Sequence, residues 1–268
     1  MIGRMNKVRP KKSLGQHFLH DQQIARRIVD SLVYKGNSMP VLEIGPGMGV
    51  LTKYLTDRTD VDLRVIEIDR ESIAYLKQHF ASLEGRIIEG DVLEKDFATL
   101  FPGRFSVIGN FPYNISSQIF FKVLERRHSV DQVVCMLQKE VADRMAASHG
   151  SKTYGILSVL LQAYFRIHYL FKVPPGVFTP PPKVMSAVIR LERNDVERLE
   201  CDEVLFVRVV KQAFNTRRKT LRNALKNLNL PAEISALEIM NKRAEQLSVQ
   251  EFVSLTLLIE QRRGGTSG

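Results

Sequence analysis

Tryptophan is absent from this 268-residue chain, and cysteine occurs only as Cys135 and Cys201. Two thiols cannot build a disulfide framework and match no metal spacing, which excludes a stapled secreted fold and fits a reducing compartment. The histidines (His17, His20, His79, His128, His149 and His168) are scattered without paired metal-ligand spacing. Neither zinc chemistry nor a Ser/His/Asp hydrolase has support, and no metal is expected. No uncharged apolar stretch is long enough to span a bilayer, and the basic N-terminus lacks the apolar run of a signal peptide. These absences lead us to expect a soluble cytoplasmic protein with no membrane partner. With no dimerisation signal, it is expected to be a monomer.

Acid is missing from two segments. Residues 1–20 carry Arg4, Lys7, Arg9, Lys11 and Lys12, and residues 204–232 carry Arg208, Lys211, Arg217, Arg218, Lys219, Arg222 and Lys226, with no Asp or Glu in either. The chain as a whole has 39 Lys and Arg against 29 Asp and Glu, a net charge of +10, so acids slightly outnumber bases elsewhere. A polyanion partner is implied, and the two segments are where it would be held.

Helix-period and strand-like runs alternate through the first two thirds. Ile24, Ile28, Leu32 and Val33 have helical spacing. Apolar runs at 41–44, 63–68, 86–88, 105–108 and 132–137 read as strands, with helices over 50–56, 71–83 and 116–126 between them. Such alternation predicts an α/β fold, a parallel sheet covered by helices on both faces, with ligands at the carboxyl ends of the strands. A helix at 156–164, a strand at 167–172, a proline-rich loop at 174–182 and a strand at 184–191 read as a closing hairpin of the same sheet. Beyond Asn194 helical periodicity dominates, over 203–228 and 249–260, broken at Pro231. The expected organisation is a ligand-binding α/β domain over 1–193, including the basic segment 1–20, a small helical domain over 194–262, and a disordered tail at 263–268.

Glu43-Ile44-Gly45-Pro46-Gly47-Met48-Gly49 follows the first of the long strands. Its glycines let the backbone turn sharply and approach a ligand closely. A dinucleotide fingerprint would place the third glycine at position 50, where Val50 stands, so the loop points away from a nicotinamide cofactor. Glu67 ends the next strand, where a carboxylate can grip both hydroxyls of a ribose. Asp91 follows the third, placed to accept from an adenine amine. Together these residues describe an adenosine pocket without phosphate contacts, as S-adenosylmethionine requires. After the fourth strand comes Asn110-Phe111-Pro112-Tyr113, a pattern suited to methylation of a planar amine. The lone pair of an exocyclic adenine amine is delocalised into the ring. The Asn110 side-chain carbonyl and the Pro112 backbone carbonyl can accept its hydrogens and steer that lone pair, while Tyr113 stacks on the flipped-out base. An activated methyl donor needs positioning rather than a strong base.

These residues, with the stretches 12–19, 43–52, 67–69, 90–91, 110–116, 178–184 and 214–225, resemble the ribosomal RNA adenine N6,N6-dimethyltransferases, in particular the branch that acts on the bacterial small subunit. The resemblance implies a class I, Rossmann-like methyltransferase sheet with a small C-terminal helical domain. The implied reaction is methylation from S-adenosylmethionine of two adjacent adenosines near the 3′ end of 16S rRNA in the 30S subunit. It also implies that Gln16 and His17 border the methionine part of the cofactor. Leu19, Gly45, Gly47, Glu67, Ile68, Asp91, Val92 and Asn110 complete that site, and Phe178 faces Tyr113 across the target base. Taken alone, Phe178 reads as a hydrophobic anchor of its loop. His17 and Phe111 stand where many members carry Asn and Leu. Arg217, Arg218, Lys219 and Arg222, with Lys11, Lys12 and Lys183 nearer the pocket mouth, are the candidate phosphate contacts. Two other roles remain open: the antibiotic-resistance branch acting on 23S rRNA, and a 30S assembly factor whose methylation is secondary.

Overall fold

Long buried runs of Val, Ile and Leu can sit only where a sheet is covered on both faces, and they form its centre here. The computed structural model describes residues 8–33, 36 and 38–264. Arg4, Lys7 and residues 265–268 lie outside these. In chain order the elements begin with β1 (Phe18–Leu19), α1 (Gln22–Val29), β2 (Met39–Ile44), α2 (Thr52–Thr56), β3 (Val61–Glu67), α3 (Arg70–His79) and β4 (Ile87–Glu89). There follow β5 (Phe105–Asn110), α4 (Ser116–Glu125), β6 (Val130–Gln138), α5 (Lys139–Ala146), α6 (Ile156–Gln162), β7 (Phe165–Val173), β8 (Phe178–Thr179) and β9 (Ser186–Arg193). The helices α7 (Glu203–Asn215), α8 (Leu221–Ala224), α9 (Ala232–Ala236) and α10 (Val249–Gly264) close the chain.

Seven strands form one sheet in the order β4-β3-β2-β5-β6-β9-β7. The strands β4, β3, β2, β5 and β6 are parallel and β9 runs antiparallel to β6, so the expected closing segment does join the same sheet. Pairing of Glu43 with Ile108, Ile44 with Ile66, and Glu67 with Glu89 brings Ile44, Glu67, Glu89 and Asn110 to one edge. The chain winds outward from β2 to β4 and returns on the other side of β2 as β5. That reversal opens a crevice at the carboxyl ends of β2 and β5. Helix starts are set by short polar caps: Asp21 accepts from the N–H groups of Gln23 and Ile24, Asp69 from Glu71, and Asp202 from Leu205. Ser248 and Glu251 cap α10 reciprocally, each side chain accepting the other's backbone N–H.

The chain divides into two units: residues up to Ala142 with His168–Arg193, and Asp143–Ile167 with the described residues from Asn194 on. The helical unit thus takes in α6, whereas the sequence placed one boundary at 193/194. The physical reason is that Leu157, Val159, Leu160 and Leu161 are buried, and α6 packs on α7 and α10. Within this unit Phe214 lies between Tyr154 and Phe252, with centroids 6.1 and 5.9 Å away. The helix expected over 203–228 stops at Asn215 and restarts at Leu221, because Thr220 bridges to Arg243 and the Leu221 N–H donates to the Lys242 carbonyl. Helix α10 extends to Gly264, into the stretch expected to be disordered.

Candidate active site

The crevice at the strand ends holds a cavity. Its walls are residues 13–18, Ile44, Gly45, Gly47, Ile66, Glu67, Ile68, Gly90, Asp91, Val92 and residues 110–115. All the cofactor residues expected from the sequence line it except Leu19, which lines a smaller pocket beneath the glycine loop. The tetrapeptide Asn110 to Tyr113 lines the same cavity as Glu67 and Asp91.

Glu67 organises the floor. Its Oε1 accepts the N–H groups of Ile68 and Asp69, each at 2.9 Å, and its Oε2 accepts the Gly47 N–H at 3.0 Å. Burial pushes the carboxyl up from its ordinary value, against these N–H donors, which favour the charge. Oε1 thus has both lone pairs engaged, and Oε2 keeps one for a ligand. Gly47 has φ of +56°, and a Cβ there would stand 2.9 Å from the Phe18 ring, so the loop can lie this close only as glycine. Below it, Glu43 is buried and accepts the Thr52 hydroxyl at 2.7 Å; its carboxyl is pushed up to about 8, mainly by burial. Asp91 accepts the Leu93 N–H on Oδ1 at 2.8 Å, which fixes the turn after β4.

Asn110 ends β5, and its side-chain Nδ2 donates to the His17 carbonyl at 2.9 Å. The Pro112 carbonyl already accepts the Ile115 N–H at 3.2 Å and has one lone pair left. Phe111 is buried against Phe120, with ring centroids 5.8 Å apart, so its side chain anchors the tetrapeptide from below. The half-buried Tyr113 bonds through its hydroxyl to the Ser186 hydroxyl. The ring stacked on it is His17, with centroids 5.3 Å apart and planes at 28°. His17 Nδ1 contacts the Pro180 carbonyl at 2.7 Å; a carbonyl can only accept, so Nδ1 carries the proton.

Three sequence expectations meet a different arrangement. Phe178 is 2% exposed and sits in the apolar core, because β1 and β8 pair Leu19 with Phe178 and carry both inward. Its anchoring role is what this geometry displays, and the ring partner of Tyr113 is His17. Lys11 is ion-paired with Asp69 and, at 3.1 Å, with Glu71, which ties it to α3. Arg217 is exposed, yet donates to the carbonyls of Lys152 and, at 3.1 Å, of Tyr154. Lys12, Lys183, Arg218 and Lys219 are exposed, as is Arg222, which donates to the Asn241 side chain at 3.1 Å. Phe18, Asn114 and Ile115 also stand on the cavity wall without a chemical signal of their own in the sequence, and Asp69, just before α3, carries only that of a helix cap.

Among the described residues, the lining includes two carboxylates and no Lys or Arg. Such a cavity disfavours phosphates and suits a cationic ligand with ribose-like hydroxyls, as a sulfonium nucleoside is. Residues 7–261 match the family described as Ribosomal RNA adenine dimethylase. Relatives named Ribosomal RNA small subunit methyltransferase A include one from Cytophaga hutchinsonii, 58% identical over 255 residues (95% of this chain, 99% of its own). Another, from Parabacteroides distasonis, is 59% identical over 262 residues, covering 96% of each chain. Among solved structures, a dimethyladenosine transferase from Plasmodium falciparum is similar with a TM-score of 0.75 and 26% identity, over 92% of this chain and 98% of that one. The 23S rRNA methyltransferase ErmE shares the fold, with a TM-score of 0.65 and 24% identity over 89% and 99% of the two chains.

Proposed function

The chain belongs to the ribosomal RNA adenine dimethylase family, and from that premise we propose that it moves methyl groups from S-adenosylmethionine to the exocyclic amines of two adjacent adenosines near the 3′ end of 16S rRNA in the 30S subunit. The sheet is that of a class I methyltransferase, and the chain is an enzyme of that kind. The observation that carries the reading is the meeting of Glu67, Asp91 and the tetrapeptide in one cavity whose described lining has no basic residue.

S-adenosylmethionine supplies, when bound, a methyl group already activated on a sulfonium. What remains for the protein is placement and charge. Glu67 accepts a ribose hydroxyl with the lone pair left on Oε2. Asp91 accepts an adenine amine through the oxygen not engaged by Leu93. Ile68, an exposed residue on the cavity wall, offers an apolar face to the nucleoside. On the substrate side, Asn110 Oδ1 and the free lone pair of the Pro112 carbonyl accept the two amine hydrogens, which directs the nitrogen lone pair toward the methyl. Tyr113 stacks on the base, and Phe178 supports its loop from the core. Base stacking of this kind is worth about 1–3 kcal/mol. Arg218, Lys219 and Arg222 in the helical unit, with Lys12 and Lys183 on the catalytic unit, contact phosphates and position the RNA.

The test is incubation of the purified, monomeric protein with labelled cofactor and either unmethylated 30S or 50S particles, followed by mass mapping of the methylated nucleotides. Dimethylation of two neighbouring adenosines of 16S rRNA is expected. Methyl incorporation confined to 50S particles would overturn the reading, and binding to 30S without incorporation would favour an assembly factor.

A further inference from the structure

Asp69 stands two residues beyond Glu67, is 2% exposed and does not line the cavity. It nevertheless gathers an unusual set of donors. Lys11 Nζ donates to Oδ1, while Gln16 Nε2 and the Ser72 hydroxyl donate to Oδ2, at 3.3 and 3.2 Å. The Glu71 N–H donates to Oδ1 at 3.2 Å, as befits the cap of α3. Two of these donors come from a segment more than fifty residues away. That segment is internally closed, since Gln16 Oε1 accepts the Lys11 N–H at 2.8 Å. Its residues 13–18 are one wall of the cavity.

The far end of the same wall reaches the tetrapeptide. Gly15, at φ of +63°, lies so close that a Cβ would meet Asn114 Oδ1 at 2.5 Å, and the His17 carbonyl takes the Asn110 amide. A helix cap needs only one short acceptor and has no use for a lysine and a glutamine from the N-terminus. Charge-assisted bonds to a buried carboxylate are the strong ones, so Asp69 is the point where the wall is fastened. The Lys11 side chain is 36% exposed, so the fastening can open to water without unfolding the sheet.

We infer that Asp69 is a positioning residue for cofactor capture, which it serves by holding residues 11–17 as a latched wall of the cavity through Lys11 and Gln16. The inference rests on the cofactor reading above. Asp69 touches no cofactor atom itself. It acts through the wall and, by donating its backbone N–H to Glu67 Oε1, stands next to the ribose site it closes. Loss of the latch frees the Lys11 and Gln16 end and shortens residence of the nucleoside, whereas His17 keeps its own bonds to the Pro180 carbonyl and the Asn110 amide, which leaves the transfer step in place.

Asp69→Asn and Lys11→Ala, the second being a change on the half-exposed partner that leaves the α3 cap intact, separate latching from folding. Amide hydrogen exchange of residues 11–17 in the cofactor-free protein should speed up about tenfold or more in both. Dissociation of S-adenosylhomocysteine, followed by stopped flow, should quicken about tenfold in Asp69→Asn and severalfold in Lys11→Ala. KM for the cofactor should rise accordingly, with kcat at saturation within about twofold. Lys11→Arg should restore exchange and dissociation to near the parent values, a rescue that general destabilisation would not give. Unchanged exchange and dissociation in both variants would overturn the latch. Failure of the unaltered protein to bind S-adenosylhomocysteine would instead overturn the cofactor reading.

Discussion

The Asn110 amide nitrogen donates to the His17 backbone carbonyl at 2.9 Å, and this one contact settles which way the Asn110 side chain faces. A carbonyl accepts only, so the NH2 group must point to it and Oδ1 is the atom left for an incoming amine. Asn110→Ala should therefore lower kcat by about 100-fold or more, the loss seen when one preorganised polar group is removed from a reacting centre. Asn110→Asp should do no better, because it sets a carboxylate against the His17 carbonyl. Single-turnover rates with saturating 30S particles check both, and near-parental activity of the Asn110→Asp variant would contradict this orientation.

Tyr113 should separate stacking from hydroxyl chemistry. Tyr113→Phe keeps the ring and loses only the bond to Ser186, so a few-fold effect on kcat/KM is expected. Tyr113→Ala should cost about 10- to 100-fold, the equivalent of one stacked base. Parallel kinetics of the two variants decide the point.

The buried Glu43 gives the fold a pH dependence of definite sign. Its carboxyl is pushed up to about 8 from an ordinary 4.5, burial being the main cause and the nearby Glu67 adding to it. Between those values the folded protein holds a proton that the unfolded chain has released. Stability attributable to Glu43 is thus full below about 4.5, declines as pH rises toward 8 by up to about 1.4 kcal/mol per unit, and levels off above. Glu43→Gln, which still accepts the Thr52 hydroxyl, should flatten that slope by about one proton. Denaturant titrations at pH 6 and pH 9 measure it; equal slopes in the two proteins would contradict the assignment.

Gly109 lies in β5, and a Cβ there would stand 2.5 Å from the Ile44 carbonyl oxygen of β2. Backbone oxygen in a ladder cannot yield as a side-chain tip can. Gly109→Ala should destabilise by about 1–3 kcal/mol and spoil the cavity at the same time. Gly103→Ala, where a Cβ meets open space, is the control in thermal melts.

Within the basic run 216–220 the neighbours Arg217 and Arg218 should behave differently. Arg218→Ala with Lys219→Ala should lower the salt dependence of particle binding by about one to two in log–log slope, with little change in melting temperature. Arg217→Ala should lower the melting temperature, because it removes the bonds to the Lys152 and Tyr154 carbonyls. Binding measured across a salt series, beside calorimetry, distinguishes them.

Much of the sheet could be read in advance because β2, β3, β5 and β6 each carry a cluster of Val, Ile and Leu, and Glu67, Asp91 and Asn110 at or just after strand ends mark a ligand edge in any such sheet. Helix α5 escaped notice: its Lys139-Glu140 start follows β6 directly, with no glycine or proline between them to mark a turn. The β1–β8 pair is two residues long on each side and has no periodicity to detect. For that reason the inward direction of Phe178 was invisible, although its apolar character was not. Lys11 misled for a related reason. A lysine in an acid-free stretch has no local partner, and Asp69 comes to it only through folding. Charge counted along the chain measures what is near in sequence, whereas Lys11 and Arg217 are decided by what is near in space.

The chain passes from the sheet unit into the helical unit after Ala142, returns at His168 and leaves again after Arg193. The helical unit is consequently not a detachable cassette. A protein stopped at Arg193 would keep α6 but lack α7 and α10, stranding the apolar side chains of Leu157, Val159, Leu160 and Leu161 in water. Module swaps between relatives would have to exchange two stretches of chain together, which ties the inheritance of the C-terminal helices to that of a segment in the middle of the sequence.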